Sequence, residues 1–308
     1  MALGYDGKLY ILAFDHRGSF QKKMFGIEGA PTPEETERIA DAKYLIFEGV
    51  IKSTESGGVQ EDQVGVLVDE QFGGDIPRQA KERGLTLAMP VEKSGQNEFD
   101  FEYGDQFGEH IETFEPAFSK VLVRYNPDDA AEFNERQLGR LKRLADWLHD
   151  NDRKFLFELL VPATDEQLAS VGGDTDRYDA ELRPELMRRA IAETQEFGCE
   201  VDIWKIEGVD AREDAEMLAR QTRAGEGREG VACVLLGRGA SDEKVDQWLR
   251  AAAPVEGFVG FAIGRSIWWD ALKAFLDGSL EREAAAAQIA ENYLRFIRVY
   301  EEQETAVA

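Results

Sequence analysis

The chain has 308 residues, of which 61 are Asp or Glu and 36 are Lys or Arg, for a formal net charge of −25. A surface this negative repels nucleic acid and anionic membranes, so neither is expected as a partner. With 43% hydrophobic and 31% charged residues the composition is that of a soluble globular protein, and the length suits a single barrel of alternating strands and helices, which takes about 250 residues.

The N-terminus has no basic segment followed by an apolar run, and no stretch approaches the roughly 18 apolar residues of a membrane span, so a cytoplasmic location is expected. Cys199 and Cys233 lack the spacing of a metal site and read as buried free thiols.

Along the chain, short apolar runs alternate with longer amphipathic segments. The runs are 9–14, 64–68, 85–90, 120–123, 154–160, 202–206, 231–236 and 257–263. Helical patterns follow at 34–55, 75–83, 104–114, 130–149, 184–197, 211–222, 242–253 and 280–300. Repeated strand and helix units with near-continuous apolar strands predict a parallel sheet covered by helices, and eight units close a (β/α)8 barrel, one domain over 1–308. An open doubly wound sheet is the alternative, and no GxGxxG after the first strand supports it. Segments 20–33, 92–102 and 164–179 read as long loops after strands, on the face where barrel active sites are built. In the last helix Ile289, Tyr293, Phe296, Ile297 and Tyr300 fall at helical spacing. Outer-layer packing is the first reading of that stripe; a subunit interface, and with it a homo-oligomer, is the other.

The stretch 201–208, VDIWKIEG, sets one lysine inside an apolar strand. Alternation places Val201, Ile203, Lys205 and Glu207 on one face. Lysine is rarely buried without a partner or a task, and a desolvated amine can attack a carbonyl to form a Schiff base. Other strands aim charges into the same space: Asp15 at the end of the first, Lys120 and Arg124 on one face of the fourth, and Glu158 in the fifth. A carboxylate between two amines suits Schiff-base chemistry, with Lys205 as nucleophile, Glu158 as proton shuttle and Lys120 as support. Asp15 can take a hydroxyl proton across the barrel. An inert buried ion-pair network is the competing explanation.

Two turns read as anion seats: Gly237-Arg238-Gly239 after strand seven, and Gly264-Arg265 after strand eight, just before a helix. Lys93, in the loop after strand three, offers a further cation on that face. His16, His110 and His149 are too few for a zinc-dependent lyase, so no metal and no cofactor are expected; a magnesium ion held by Asp15 with Asp69 and Glu70 is the minor alternative.

At these residues the sequence resembles the class I tagatose-bisphosphate aldolase family. The match LYILAFDHRGSFQKKMFG is closest to the domain fused to the carbohydrate kinase of inositol catabolism, proposed to be a 2-deoxy-5-keto-gluconate 6-phosphate aldolase. VDEQFG, PVEKSG, SKVLVRY, FLFELL, DIWKIE and FAIGRSIWW resemble successive strand-end motifs of the wider family. The resemblance implies an eight-stranded barrel, Lys205 as the Schiff-base lysine, Glu158 as proton shuttle, Lys120 as supporting lysine, Asp15 as polar partner, and Gly264 with Arg265 at the ketose phosphate. Gly237-Arg238-Gly239 departs from a serine-containing turn in the tagatose enzymes, which fits a substrate carrying a carboxylate. The expected reaction is cleavage of 2-deoxy-5-keto-gluconate 6-phosphate to dihydroxyacetone phosphate and malonate semialdehyde. A tagatose bisphosphate, a sulfo-sugar phosphate, or binding of a sugar phosphate without catalysis are the alternatives.

Overall fold

The computed structural model describes residues 2–305. Eight parallel strands, β1 (Leu9–Ala13), β2 (Val64–Leu67), β3 (Thr86–Pro90), β4 (Phe118–Arg124), β5 (Lys154–Leu160), β6 (Ile203–Glu207), β7 (Ala232–Leu236) and β8 (Phe258–Ile263), close in sequence order. β1 pairs with both β2 and β8, which completes the barrel. Each strand overlaps the apolar run that predicts it. The runs are near-continuous because both faces are buried: Leu9, Ile11, Leu156, Ile203 and Val234 fill the interior, while Tyr10, Leu12, Trp204 and Ile206 lie under the helices.

The outer layer forms where capping and spacing dictate it. Thr32 opens the helix Pro33–Glu55 with a reciprocal capping box to Glu35 and a proline in the first turn, a device that stabilises a helix start by about 1 kcal/mol. That helix packs on the final one, Arg282–Thr305. Ile289, Tyr293, Phe296, Ile297 and Tyr300 are all buried there, so the stripe is outer-layer core. Tyr293 donates its hydroxyl to the carbonyl of Tyr10 on β1, tying this helix to the barrel wall.

Two of the three expected loops contain helices. Gly18–Phe25 lies across segment 20–33, and Asp165–Ser170 and Thr175–Glu181 occupy 164–179. Thr164 and Gln167 form a second capping box, and Asp174 caps the next helix with its side chain. Segment 92–102 is irregular apart from an antiparallel bridge of Glu92 to Phe101.

At the N-terminal end of the barrel, buried Asp202 ties the start of β6 to the start of β5 and to the segment before β1. It accepts the amides of Gly4 at 2.9 Å and Phe155 at 2.8 Å and meets His149 at 3.0 Å and Lys154 at 3.1 Å. The cavity of the barrel is lined by residues at and beyond the carboxyl ends of the strands. Cys199 and Cys233 are buried free thiols. Among the described residues no helix is long and apolar enough to cross a membrane.

Candidate active site

Strand register builds the site. Glu158 on β5 and Lys205 on β6 are direct partners, while Lys120 on β4 stands opposite Leu156, one inward step lower. All three project into the barrel, as alternation predicts. One oxygen of Glu158 lies 3.0 Å from the amine of Lys205 and 3.0 Å from that of Lys120. Lys120 also reaches Asp15 at 2.8 Å and Glu92 at 2.8 Å. The four residues expected to carry chemistry, Lys205, Glu158, Lys120 and Asp15, are thus brought into one connected group, with Lys205 only 2% exposed.

Buried charge is tolerable only when it is matched. Three carboxylates, Asp15, Glu92 and Glu158, face the cations Lys120, Lys205 and Arg17, whose guanidinium donates to Glu102 at 2.9 Å and to the Glu92 carbonyl at 2.7 Å. Burial by itself would discharge the Lys120 ammonium, but Asp15, Glu158 and Glu92 outweigh it and hold that amine well above its ordinary range. Burial also acts against ionised Asp15 and Glu158; the nearby lysines overcome it and keep both carboxyls below their usual range. Glu92 is the reverse case, since burial prevails over Lys120 and Arg17 and its carboxyl is raised. Next to Asp15, His16 is pushed down to about 4, chiefly by burial, so its ring is neutral at physiological pH.

The group forms the floor of a cavity of about 690 Å³ that opens at the carboxyl face. Lys93, Arg124, Gly239, Gly264 and Arg265 line it above the floor. Arg124 donates to the carbonyl of Gln96 at 2.7 Å, and Arg265 donates to that of Arg238 at 3.0 Å. Among the described residues neither guanidinium pairs with a carboxylate, in a chain that has 61 of them. Gly264 initiates the helix Arg265–Leu276, whose first turn has no acidic residue. A Cβ at Gly264 would sit 2.4 Å from the carbonyl oxygen of Ala13, so only glycine lets the helix start this close to β1. Gly239, at φ 71°, lies so near Arg265 that a side chain there would strike the guanidinium.

The turn after β7 departs from expectation. The inward positions of that strand are Ala232, Val234 and Leu236, so Gly237 is out of phase, faces Ile263 and does not line the cavity. Arg238 lines it, but its guanidinium is held by Asp179 at 2.6 Å and Glu207 at 3.1 Å, which makes it a wall rather than a free anion ligand. Lys93 is exposed at the rim. The magnesium alternative is corrected too. Asp69 receives the ammonium of Lys43 on the helix Pro33–Glu55, caps the short helix Glu70–Gly73 and does not line the cavity that Asp15 lines, and among the described residues the two do not join a cluster of metal-ligating side chains.

Arg17, Glu92, His16 and Glu207 also line the cavity. Continuing the alternation one step past Asp15 leads to Arg17, and continuing it past Ala88 on β3 leads to Glu92; the same count supplies Glu207 beyond Lys205. His16 is out of phase and had no such signal.

The model of a family described as "Uncharacterized protein conserved in bacteria" (DUF2090) matches residues 5–304, so the chain belongs to that family. Tagatose 1,6-diphosphate aldolases of Listeria monocytogenes and Listeria innocua are 25% identical to it over 209 residues, which are 65% of this chain and 56% of theirs. The match therefore spans little more than half the length of those relatives. Among solved structures, a fructose-bisphosphate aldolase from Plasmodium falciparum, in complex with TRAP and a small-molecule inhibitor, superposes with a TM-score of 0.66 at 15% identity, over 97% of this chain and 92% of that one. A structural-genomics target from Corynebacterium glutamicum gives 0.59 at 17% identity, over 97% and 88%. These likenesses show the shared barrel fold.

Proposed function

We propose that this DUF2090 protein is a metal-independent class I aldolase acting on a doubly anionic ketose phosphate, with Lys205 as the Schiff-base lysine. The observation that carries the reading is the contact of Lys205 with Glu158 on the floor of a cavity whose upper wall holds cations with no carboxylate partner. Cations left unpaired in so acidic a protein are what an anionic ligand requires. The similarity to tagatose 1,6-diphosphate aldolases supports the same reaction class.

Lys205 transfers a proton to Glu158 at 3.0 Å and attacks the ketone carbon. A second proton passes from the nitrogen to the alkoxide to give the carbinolamine, Glu158 returns the first to its hydroxyl, which leaves as water, and the iminium forms. Gly264 and Arg265 hold the phosphate beside the ketone, and the substrate extends over Lys120 toward Arg124 and Lys93. Counting from the phosphate-bearing carbon as one and the ketone as two, the carbon four hydroxyl then loses its proton. Electrons of the bond between carbons three and four flow into the iminium, an aldehyde departs, and the enamine remains. Protonation at carbon three and hydrolysis release dihydroxyacetone phosphate and free Lys205. A substrate with a carboxylate at its far end, 2-deoxy-5-keto-gluconate 6-phosphate, releases malonate semialdehyde in this scheme and places its carboxylate at Arg124.

Borohydride treatment with dihydroxyacetone phosphate, followed by intact mass and peptide mapping, tests the reading. A reduced adduct on Lys205 is the expected result. A folded protein that binds the phosphate but traps no adduct would show that the barrel binds without this chemistry.

A further inference from the structure

Removal of the hydroxyl proton needs a base at the aldehyde end of the substrate. Around the barrel the polar floor runs from Lys205 on β6 through Glu158 on β5 to Lys120 on β4 and then to Glu92, just beyond β3. With the phosphate at Gly264 and Arg265 after β8 and the ketone at Lys205, carbon four falls over Lys120, between Asp15 and Glu92. The two carboxylates are not equivalent. Asp15 gives an oxygen to Lys120 at 2.8 Å and is strongly committed to its ionised form by the surrounding cations. Glu92 gives Oε1 to Lys120 at 2.8 Å, while its Oε2 is buried, without a hydrogen-bond partner, in a residue that lines the cavity. A carboxylate oxygen closed off from water and unpartnered, in a side chain that borders the cavity, is costly unless a ligand draws it in and completes it.

We propose that Glu92 is the catalytic base that accepts the carbon four hydroxyl proton through Oε2, and that Asp15 is a counter-ion that fixes Lys120. The inference rests on the Schiff-base aldolase reading above. In the step, the O–H bond breaks and its proton goes to Glu92. The C–O bond becomes the aldehyde carbonyl, the C3–C4 pair enters the iminium, and Glu92 later yields the proton to solvent. The charged groups around Glu92 are Lys120 on β4, Arg17 and Asp15 after β1, and Glu102, which shares Arg17. Burial outweighs the cations and raises the Glu92 carboxyl, which brings its basicity nearer to what proton abstraction at neutral pH demands.

The test compares wild type with Glu92→Gln, Glu92→Asp and Asp15→Asn in the full chain. The assays are adduct trapping with dihydroxyacetone phosphate, and cleavage of 2-deoxy-5-keto-gluconate 6-phosphate and tagatose 1,6-bisphosphate as a function of pH. Glu92→Gln is expected to trap the Lys205 adduct as wild type does and to lose about 10²–10⁴-fold in kcat. Glu92→Asp recovers part of that loss, and Asp15→Asn keeps the acidic limb of the pH profile where wild type has it. Cleavage by Glu92→Gln within a few-fold of wild type, or an acidic limb that disappears in Asp15→Asn instead, overturns the assignment. Failure of Glu92→Gln to fold shifts the decision to Glu92→Asp, where an unchanged kcat and limb would count against it. Absence of the adduct or of cleavage in wild type removes the aldolase reading itself, an outcome distinct from any pattern among the variants.

Discussion

Among the described residues the protein buries lysines against carboxylates inside two groups, and only one of them makes a site. Lys43 on the helix Pro33–Glu55 is fully buried against Asp69, donates to the carbonyl of Phe14 at 2.8 Å and lies over the rings of Phe20 and Phe72. Burial outweighs Asp69 and lowers its amine. Lys205 is equally enclosed and equally paired, yet its partner Glu158 is shared with a second amine and the group faces a large open cavity. A buried, paired lysine therefore does not identify an active site by itself. What distinguishes Lys205 is access, together with neighbours that can pass a proton on. The Lys43 pair instead clamps a loop: it ties the chain after β1 to the turn after β2, behind the barrel wall.

The sharpest way to break this comparison is to substitute both lysines by methionine. Lys205→Met should fold normally and lose at least about 10⁴-fold in cleavage, as removal of a covalent nucleophile does elsewhere. Lys43→Met should keep its activity per folded molecule and lose about 3–5 kcal/mol of stability in urea melts, because Asp69 is left charged and unpaired in the interior. Adding Asp69→Asn, which retains a cap for the Phe72 amide, should recover most of that loss. Equal activity losses in the two single variants would erase the distinction.

A smaller effect is expected at the mouth. Arg265→Gln should raise KM for a phosphorylated substrate about 10–100-fold, the worth of a charged hydrogen bond to phosphate, with less change in kcat. Arg238→Gln should raise it less, since Asp179 and Glu207 already hold that guanidinium. The opposite ranking, measured on the same substrate, would move the anion seat to the turn after β7.

Much of this was legible in the chain because strands write a simple code. A charged residue in an apolar run of period two stands out, as Lys120, Glu158 and Lys205 do. The same code extended beyond the strand ends reaches Arg17 and Glu92, and it places Gly237 on the wrong face for ligand binding. Lys43 was harder to see. It shares the apolar stripe of Ile39, Ile46 and Val50 in a 23-residue helix, but single charges in long helices usually belong to solvated faces, and its partner Asp69 is distant in sequence. The helices Gly18–Phe25, Asp165–Ser170 and Thr175–Glu181 were too short to establish a period among glycines and prolines, although the capping pair Thr164 and Gln167 marked one start. The pairing of Arg238 with Asp179 and Glu207 joins three separate elements, and only the folded chain brings them together.

The two buried groups also answer differently to pH. Lys43 has a lowered folded-state value, so between that value and the unfolded lysine near about 10.4 the unfolded chain binds more protons, and stability from this source rises with pH on the alkaline side. Asp15 works on the acid side. Its folded-state value is depressed below the unfolded value of about 3.9, so its stabilisation is fully present above that range. As pH falls toward the folded value the unfolded chain takes up the proton first, and the stabilisation is lost. Asp15→Asn removes this term. Urea midpoints of the variant between about pH 2.5 and 6 should therefore fall less steeply below about pH 4 than those of wild type, whatever the offset at neutral pH from leaving Lys120 with one carboxylate fewer. Parallel curves for variant and wild type would mean that Asp15 is not held ionised by Lys120 in the folded protein, and the charge balance assigned to the catalytic floor would have to be redrawn around Glu158 and Glu92.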